Sequence, residues 1–347
     1  MNKKLTATTG ADLISFAAHV LGFQPSESLV VLTFHGTGSG TTLRLDLPHS
    51  GQWPRDFAQT AASYLCRDEN ADGSMFIVYT DRLHHDTGLP YEPYIDALRE
   101  ELTTAGMPIR DGWIVTGTGW ATYPSTPGHN NPAHLVWQDT AAITNSVINS
   151  ELIYLGSSPA PAAEVPAPAC LGTGNEARRI AELAARYETT GVWDQSTEPM
   201  LTARRTWAAA LHNGTEPDAT EAPDLAGLFQ TPAVRDRLMA DLLSPAEEPH
   251  AYKRAFFADI PTAPDQARLQ TAERILIQSL RFTPGPHRAP LLTVLGWINW
   301  LRGKGTFADL YLGKALEADP GYRLAELLRQ YFATGALPKI GHRTSTR

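Results

Sequence analysis

The sequence predicts an α/β domain on a mixed, partly parallel sheet flanked by helices, followed by an all-α domain. Three observations carry this. Strand-length apolar runs alternate with helix-period stretches up to residue 156. A Pro/Ala/Ser-rich segment, "SSPAPAAEVPAPACLGT", fills 157–173. Beyond it only helical periodicity returns.

The elements follow in order. In "GADLISFAAHVLGF", Leu13, Phe16, Ala17, Val20 and Leu21 share one helix face, and Gly22 is placed to cap the C-terminus. Leu29–Phe34 is a near-continuous apolar run, as in a strand covered on both faces. "TTLRLDL" alternates, with Leu43, Leu45 and Leu47 on one side and Arg44 and Asp46 on the other. Pro54 opens a helix carrying Phe57, Ala61, Tyr64 and Leu65. "SMFIVYT" is the third strand, and Ile95, Leu98 and Leu102 mark a helix ending at Gly106. "DGWIVTGTGWATY" gives two strand-like pieces, and a helix returns near Ser146–Tyr154. The expected order is α-β-β-α-β-α-β-β-α. Helices are then expected near 175–189, 200–213, 232–243, 265–281, 290–302, 306–318 and 322–334. These readings divide the chain into a sheet domain at 1–156, a linker at 157–173, a helical domain at 174–338 and a tail at 339–347.

Near the C-terminus, Leu292, Leu295, Gly296, Ala308, Leu312, Ala315 and Pro320 fit the spacing of a tetratricopeptide repeat. In that repeat small residues let two helices cross closely. Asn299 stands where the usual aromatic falls, and no second convincing copy precedes the hairpin. This is one repeat-like hairpin and not a solenoid.

Composition narrows the function classes. The 347 residues carry a formal net charge of −8, so nucleic acid and anionic membranes are unexpected partners. No window is apolar enough for a membrane span and no signal-peptide core follows the start, so the chain reads as cytoplasmic. Two cysteines, Cys66 and Cys170, exclude a disulfide framework or a four-thiolate zinc site. Cys66, at the end of an amphipathic stretch, reads as a reduced core or boundary thiol.

Among motifs, "HGTGSG" invites comparison with a phosphate loop. A dinucleotide fingerprint needs its glycines to open a helix, however, and Gly36, Gly38 and Gly40 run into an alternating strand. They read as a hairpin connection, and Gly117-Thr118-Gly119 reads the same way. No cofactor and no metal are predicted. The candidate ligand-binding residues are Arg44, Asp46, Asp81, His84, His85, Trp120 and Tyr123. Asp81 falls just past an apolar strand, with His84 and His85 close behind, at the sheet edge where α/β proteins place sites. Adjacent histidines point apart and lack metal-ligand spacing, so a loop capped by Asp81 is the plainer reading. Arg44 and Asp46 join Asp81 only if their strands are neighbours. Trp120, Tyr123 and Trp137 border a Pro/Asn-rich loop suited to a binding rim. Trp297 and Trp300 read as core or interface anchors.

Several of these stretches resemble an uncharacterised actinobacterial family, domain of unknown function 4192. They are Asp12-Leu13-Ile14, the run Leu21-Gly22-Phe23-Gln24-Pro25-Ser26-Glu27-Ser28-Leu29-Val30, and Arg44-Leu45-Asp46-Leu47-Pro48. "VYTD", "GWATY" and the helical end from "LGWINW" onward are similar too. The family often carries a cysteine after the tyrosine matched by Tyr123; here Pro124-Ser125-Thr126-Pro127-Gly128 has none. The resemblance implies the two-part architecture and brings no activity.

Two readings stay open. The first is a non-enzymatic protein-interaction or regulatory module whose partner is a protein held by the helical domain. The second is a small-ligand-binding protein or hydrolase with its site at the sheet edge. Oligomeric state is not legible in the sequence.

Overall fold

The computed structural model describes residues 5–48, 51–82, 89–124, 134–188, 197–243, 257, 264–333 and 338. The chain divides into two compact units, Met1–Ala163 and Glu164–Arg347.

The first unit runs α1 (Gly10–Leu21), β1 (Ser28–His35), β2 (Gly38–Asp46), α2 (Pro54–Leu65), β3 (Gly73–Tyr79), α3 (Glu92–Thr104) and β4 (Ile109–Val115). β5 (Gly119–Thr122), β6 (Gln138–Asp139), α4 (Ala141–Thr144) and α5 (Val147–Tyr154) complete it. The six strands lie in the order β2-β1-β3-β4-β5-β6. Among the six described strands only β3 and β4 pair in parallel, across the α3 connection, and the other neighbouring strands pair antiparallel. The sheet is therefore mixed and covered on both faces, as the continuous apolar runs of β1 and β3 require. Val30, Leu32, Ile77, Tyr79, Trp113 and Trp120 pack under α1, whereas Leu29, Val31, Phe76, Val78, Ile114 and Tyr123 pack under α2 and α3.

Local chemistry fixes the ends. Thr9 and Asp12 form a reciprocal capping box on α1. Gly22, at φ 81°, closes that helix in the left-handed conformation its sequence position suggested. Of the two places expected for Cys66, core or boundary, the structure has the boundary: Leu65 takes the last inward position of α2, and Cys66 is the exposed C-cap.

The Gly-rich stretch is a hairpin. His35 pairs with Gly38 around a two-residue turn in which Gly36 takes φ 62°. Gly36 N–H donates to Asp72 Oδ2 at 2.8 Å, and Arg110 ties Gly36 O and Asp72 together. Two residues of β2, Gly40 and Thr41, then face the single Thr33 of β1, a β-bulge. A Cβ on Gly40 would sit 2.5 Å from both Asp68 Oδ2 and Thr33 Oγ1, so this position has no room for a side chain. The Asp68 carboxylate gathers the bulge, accepting Thr33 Oγ1 at 2.6 Å, Thr41 N–H at 3.0 Å and His35 Nε2 at 2.7 Å. Burial pushes its pKa up, but the Thr33, His35 and Thr41 hydrogen bonds outweigh burial and hold it below the usual carboxylate value. A folded-state pKa lowered in this way gives stability that is present above the unfolded value of about 3.9. That stability is lost as pH falls through the folded value. Acid titration of unfolding should therefore show wild-type stability falling below about pH 4, with a shallower fall in Asp68→Asn. An equally steep fall in the variant would refute this role.

The second unit comprises α6 (Gly174–Glu188), α7 (Glu198–Asn213), α8 (Ala222–Leu228), α9 (Pro232–Leu243), α10 (Gln266–Leu280), α11 (Arg288–Leu301), α12 (Gly305–Ala318) and α13 (Arg323–Ala333). The short α8 lies outside the helices expected from sequence, where Pro223 and Gly227 disguise it as a loop. Gly227 is where Leu183 of α6 presses in, with a Cβ placed 2.6 Å from Leu183 Cδ2. Every residue from Ala289 to Leu301 is buried, so α11 is a central helix, and Trp297 and Trp300 are core residues as expected. The Pro/Ala-rich segment is not bare chain: Gln24 N–H donates to Ala160 O, Val165 is buried in the helical core, and Leu171 N–H donates to Arg281 O. No helix among the described residues is long and apolar enough to cross a membrane.

Candidate functional site

One end of the sheet holds the charged candidates Arg44, Asp46 and Asp81. Asp46, Ser28, Tyr79 and Val115 stand in one row across β2, β1, β3 and β4, at the carboxyl ends of the parallel pair. That is where open α/β sheets place ligands. β2 and β3 are not neighbours, since β1 lies between them, so Arg44 and Asp46 do not meet Asp81 directly. They meet the start of β1 instead. Arg44 Nε donates to Ser28 Oγ at 2.9 Å, and its Nη2 pairs with Asp46 Oδ1 at 2.6 Å. Asp81 Oδ1 accepts from Gly117 N–H at 2.6 Å, which ties the β3 exit to the β4–β5 turn.

Between these two groups stands Glu27, which sequence reasoning missed. It holds φ 43°, a left-handed backbone uncommon outside glycine. Its Oε1 accepts Thr80 Oγ1 at 3.0 Å and Asp81 N–H at 3.3 Å, while Oε2 pairs with Arg82 at 3.2 Å. Its one sequence signal is its place inside "QPSES", at a strand start. Each described charge at this sheet end thus has a hydrogen-bond or ion-pair partner, as in a fastening.

The aromatic candidates separate. Trp120 is buried under α1, whereas Tyr123 is buried under α2 and α3, where its hydroxyl donates to Pro90 O at 2.9 Å. They do not form one rim. His84 and His85 lie outside the described residues. In the same core cluster as Trp120, the Tyr79 hydroxyl is buried without a hydrogen-bond partner, and burial drives its pKa far up. Removing an unsatisfied buried hydroxyl relieves its desolvation cost, so Tyr79→Phe should leave stability unchanged or raise it by about 1 kcal/mol in denaturant unfolding. A loss of that size would show that the hydroxyl has a partner.

A second polar group joins α1 to α5. Asn149 Nδ2 donates to Thr144 O at 2.6 Å, which orients the amide so that Oδ1 accepts from Ser15 Oγ and His19 Nε2. With that proton on Nε2, neutral His19 presents Nδ1 as acceptor to Ser157 Oγ, 2.8 Å away. The order serine, histidine, amide is that of a nucleophile, a base and its orienting group. Ser157, in the Pro/Ala-rich segment, gave no such signal in sequence. No group of three or more His, Cys, Asp or Glu side chains suited to a metal ion occurs among the described residues.

Fold and site together define a two-unit α/β-plus-helical protein with polar fastenings at a sheet end and along α1. The chain belongs to the family Domain of unknown function (DUF4192), whose model matches residues 11–339. No curated protein and no solved structure matches it.

Proposed function

We propose that this is a cytoplasmic, non-enzymatic interaction module that holds another polypeptide through its helical unit. The observation that carries this reading is an aromatic group at the end of the helical hairpin. Trp300 stacks on Phe332 at 4.7 Å, Tyr331 stands edge-on to Trp300 at 5.9 Å, and Phe257 meets Tyr331 at 6.1 Å. The buried Trp300 anchors the group, and Phe257 is 54% exposed. Leu327, one turn before Tyr331 on the same helix face, is 44% exposed. Aromatic anchors with an open apolar rim are the usual centre of a protein-binding surface.

The hairpin itself adds support. A Cβ on Gly296 would lie 3.0 Å from Leu312 Cγ and 3.1 Å from Ala308 O, so α11 and α12 cross closely at the tetratricopeptide-like spacing. Helical hairpins of that kind commonly present grooves to peptide segments. Phe257→Asp and Leu327→Asp in the full chain should each cut co-precipitated partner at least tenfold while leaving the helical circular dichroism intact. Unchanged capture by both variants would overturn the proposal.

A second reading, a hydrolase, is favoured by the Ser157–His19–Asn149 relay. It ranks lower because Ser157 and His19 lie at the C-terminal ends of α5 and α1, whose carbonyl dipoles oppose a developing oxyanion. Labelling of Ser157 by a fluorophosphonate, lost in His19→Ala, would reverse this ranking.

A further inference from the structure

β2 closes one side of the sheet: it pairs with β1, and no strand among the described residues pairs beyond it. In an antiparallel pair, alternate residues turn their backbone groups to opposite sides. Leu47 N–H donates to Glu27 O at 3.2 Å, which sets the phase. In the register that follows, Leu45 and Leu43, opposite Leu29 and Val31, turn theirs toward β1. Thr42, Arg44 and Asp46 turn their N–H and C=O groups to the open side.

Such an edge is a template for another strand. The Gly40–Thr41 bulge blunts one end and Pro48 the other, and the charges of Arg44 and Asp46 between them admit only a strand that presents the opposite charge to each. Between bulge and proline runs Leu43-Arg44-Leu45-Asp46-Leu47. Read backwards, this segment keeps its leucines and exchanges its cation and anion, which is the symmetry that antiparallel self-pairing demands.

We infer that β2 pairs antiparallel with β2 of a second copy of this chain, about a twofold axis at Leu45, joining two six-stranded sheets into one. This centre sets Arg44 opposite Asp46 of the other copy twice, Leu45 opposite Leu45, and Leu43 opposite Leu47. Opposite charges that face each other across a ladder stabilise it. Arg44 and Asp46 are also the residues whose backbone groups face outward, so the two charged pairs are the hydrogen-bonded ones. Neighbouring registers fail on charge. An axis at Arg44 or at Asp46 opposes that residue to itself, and an axis at Leu43 sets Arg44 against Thr42 and Asp46 against Gly40. The Asp46 side chain is 73% exposed even while paired with Arg44 of its own strand, which leaves carboxylate surface for the second guanidinium.

The test is sedimentation equilibrium of the full chain together with amide hydrogen exchange. The expected wild-type mass is twice the 37.8 kDa of one chain, with the Arg44 and Asp46 amides protected in the dimer. Arg44→Asp and Asp46→Arg, each folded by circular dichroism, should weaken dimerisation at least tenfold. The double exchange, Arg44→Asp with Asp46→Arg, keeps both facing pairs opposite and should restore it. A single-chain mass for the wild type, a dimer indifferent to both reversals, or fast exchange of both amides within a dimer would each overturn the inference.

Discussion

Trp297→Ala is expected to cost the helical unit about 3–5 kcal/mol, lowering its thermal midpoint by on the order of 10 °C. Trp297 is fully buried, on a helix whose residues are covered from Ala289 to Leu301. α11 packs against α12, α10 and α13, so the indole touches a core whose helices cannot all close on the hole. The cost combines lost transfer energy with a residual cavity, and a close-packed interior relaxes little. Calorimetry of the variant checks the value. A loss below about 1 kcal/mol, well under the usual Trp→Ala range, would mean that α11 is not the centre of the helical unit.

In the sheet unit, Phe76→Ala is expected to cost a similar 3–5 kcal/mol. Phe76 is fully buried in β3, edge-on to Tyr123 at 5.3 Å and beneath the Arg99 guanidinium at 5.4 Å. Its ring occupies the space over Gly112 in the parallel neighbour β4, where a Cβ would come within 2.2 Å of Phe76 Cε1. The two positions are therefore coupled. Gly112→Ala alone should overpack the site at about 1–3 kcal/mol, and the same change beside Phe76→Ala should cost much less. A double-mutant cycle in denaturant measures this, and strictly additive losses would contradict the coupling.

The glycine at 112 shows why the sequence was only partly readable. "DGWIV" signals a strand, but nothing in one strand announces which residue of another will lie across its backbone. The elements themselves were legible because their periods are local. Alternation in Leu43–Leu47 set Arg44 and Asp46 on one face, and Gly22 and Pro54 marked helix ends. Strand order was not legible, and that hid Glu27 and Asp68, whose roles depend on β1 lying between β2 and β3. The opposite placements of Trp120 and Tyr123 follow from odd spacing in an extended strand, a signal present in the sequence and overridden by their closeness along the chain. Ser157 and His19 stand far apart in sequence and meet only because α5 docks on α1.

The polar sheet end and the α1–α5 seam are satisfied from within, whereas the rim of Phe257 and Leu327 at the helical hairpin is apolar and open to solvent. The most direct measurement of the proposed role is site-specific photo-crosslinking in the full chain, from a photoreactive residue at position 327 and from a control at the exposed Ser63 of α2. A discrete adduct with another polypeptide from position 327, absent from position 63 and lost in Phe257→Asp, is the result expected of an interaction module. No adduct from position 327, or the same adducts from both positions, would contradict it.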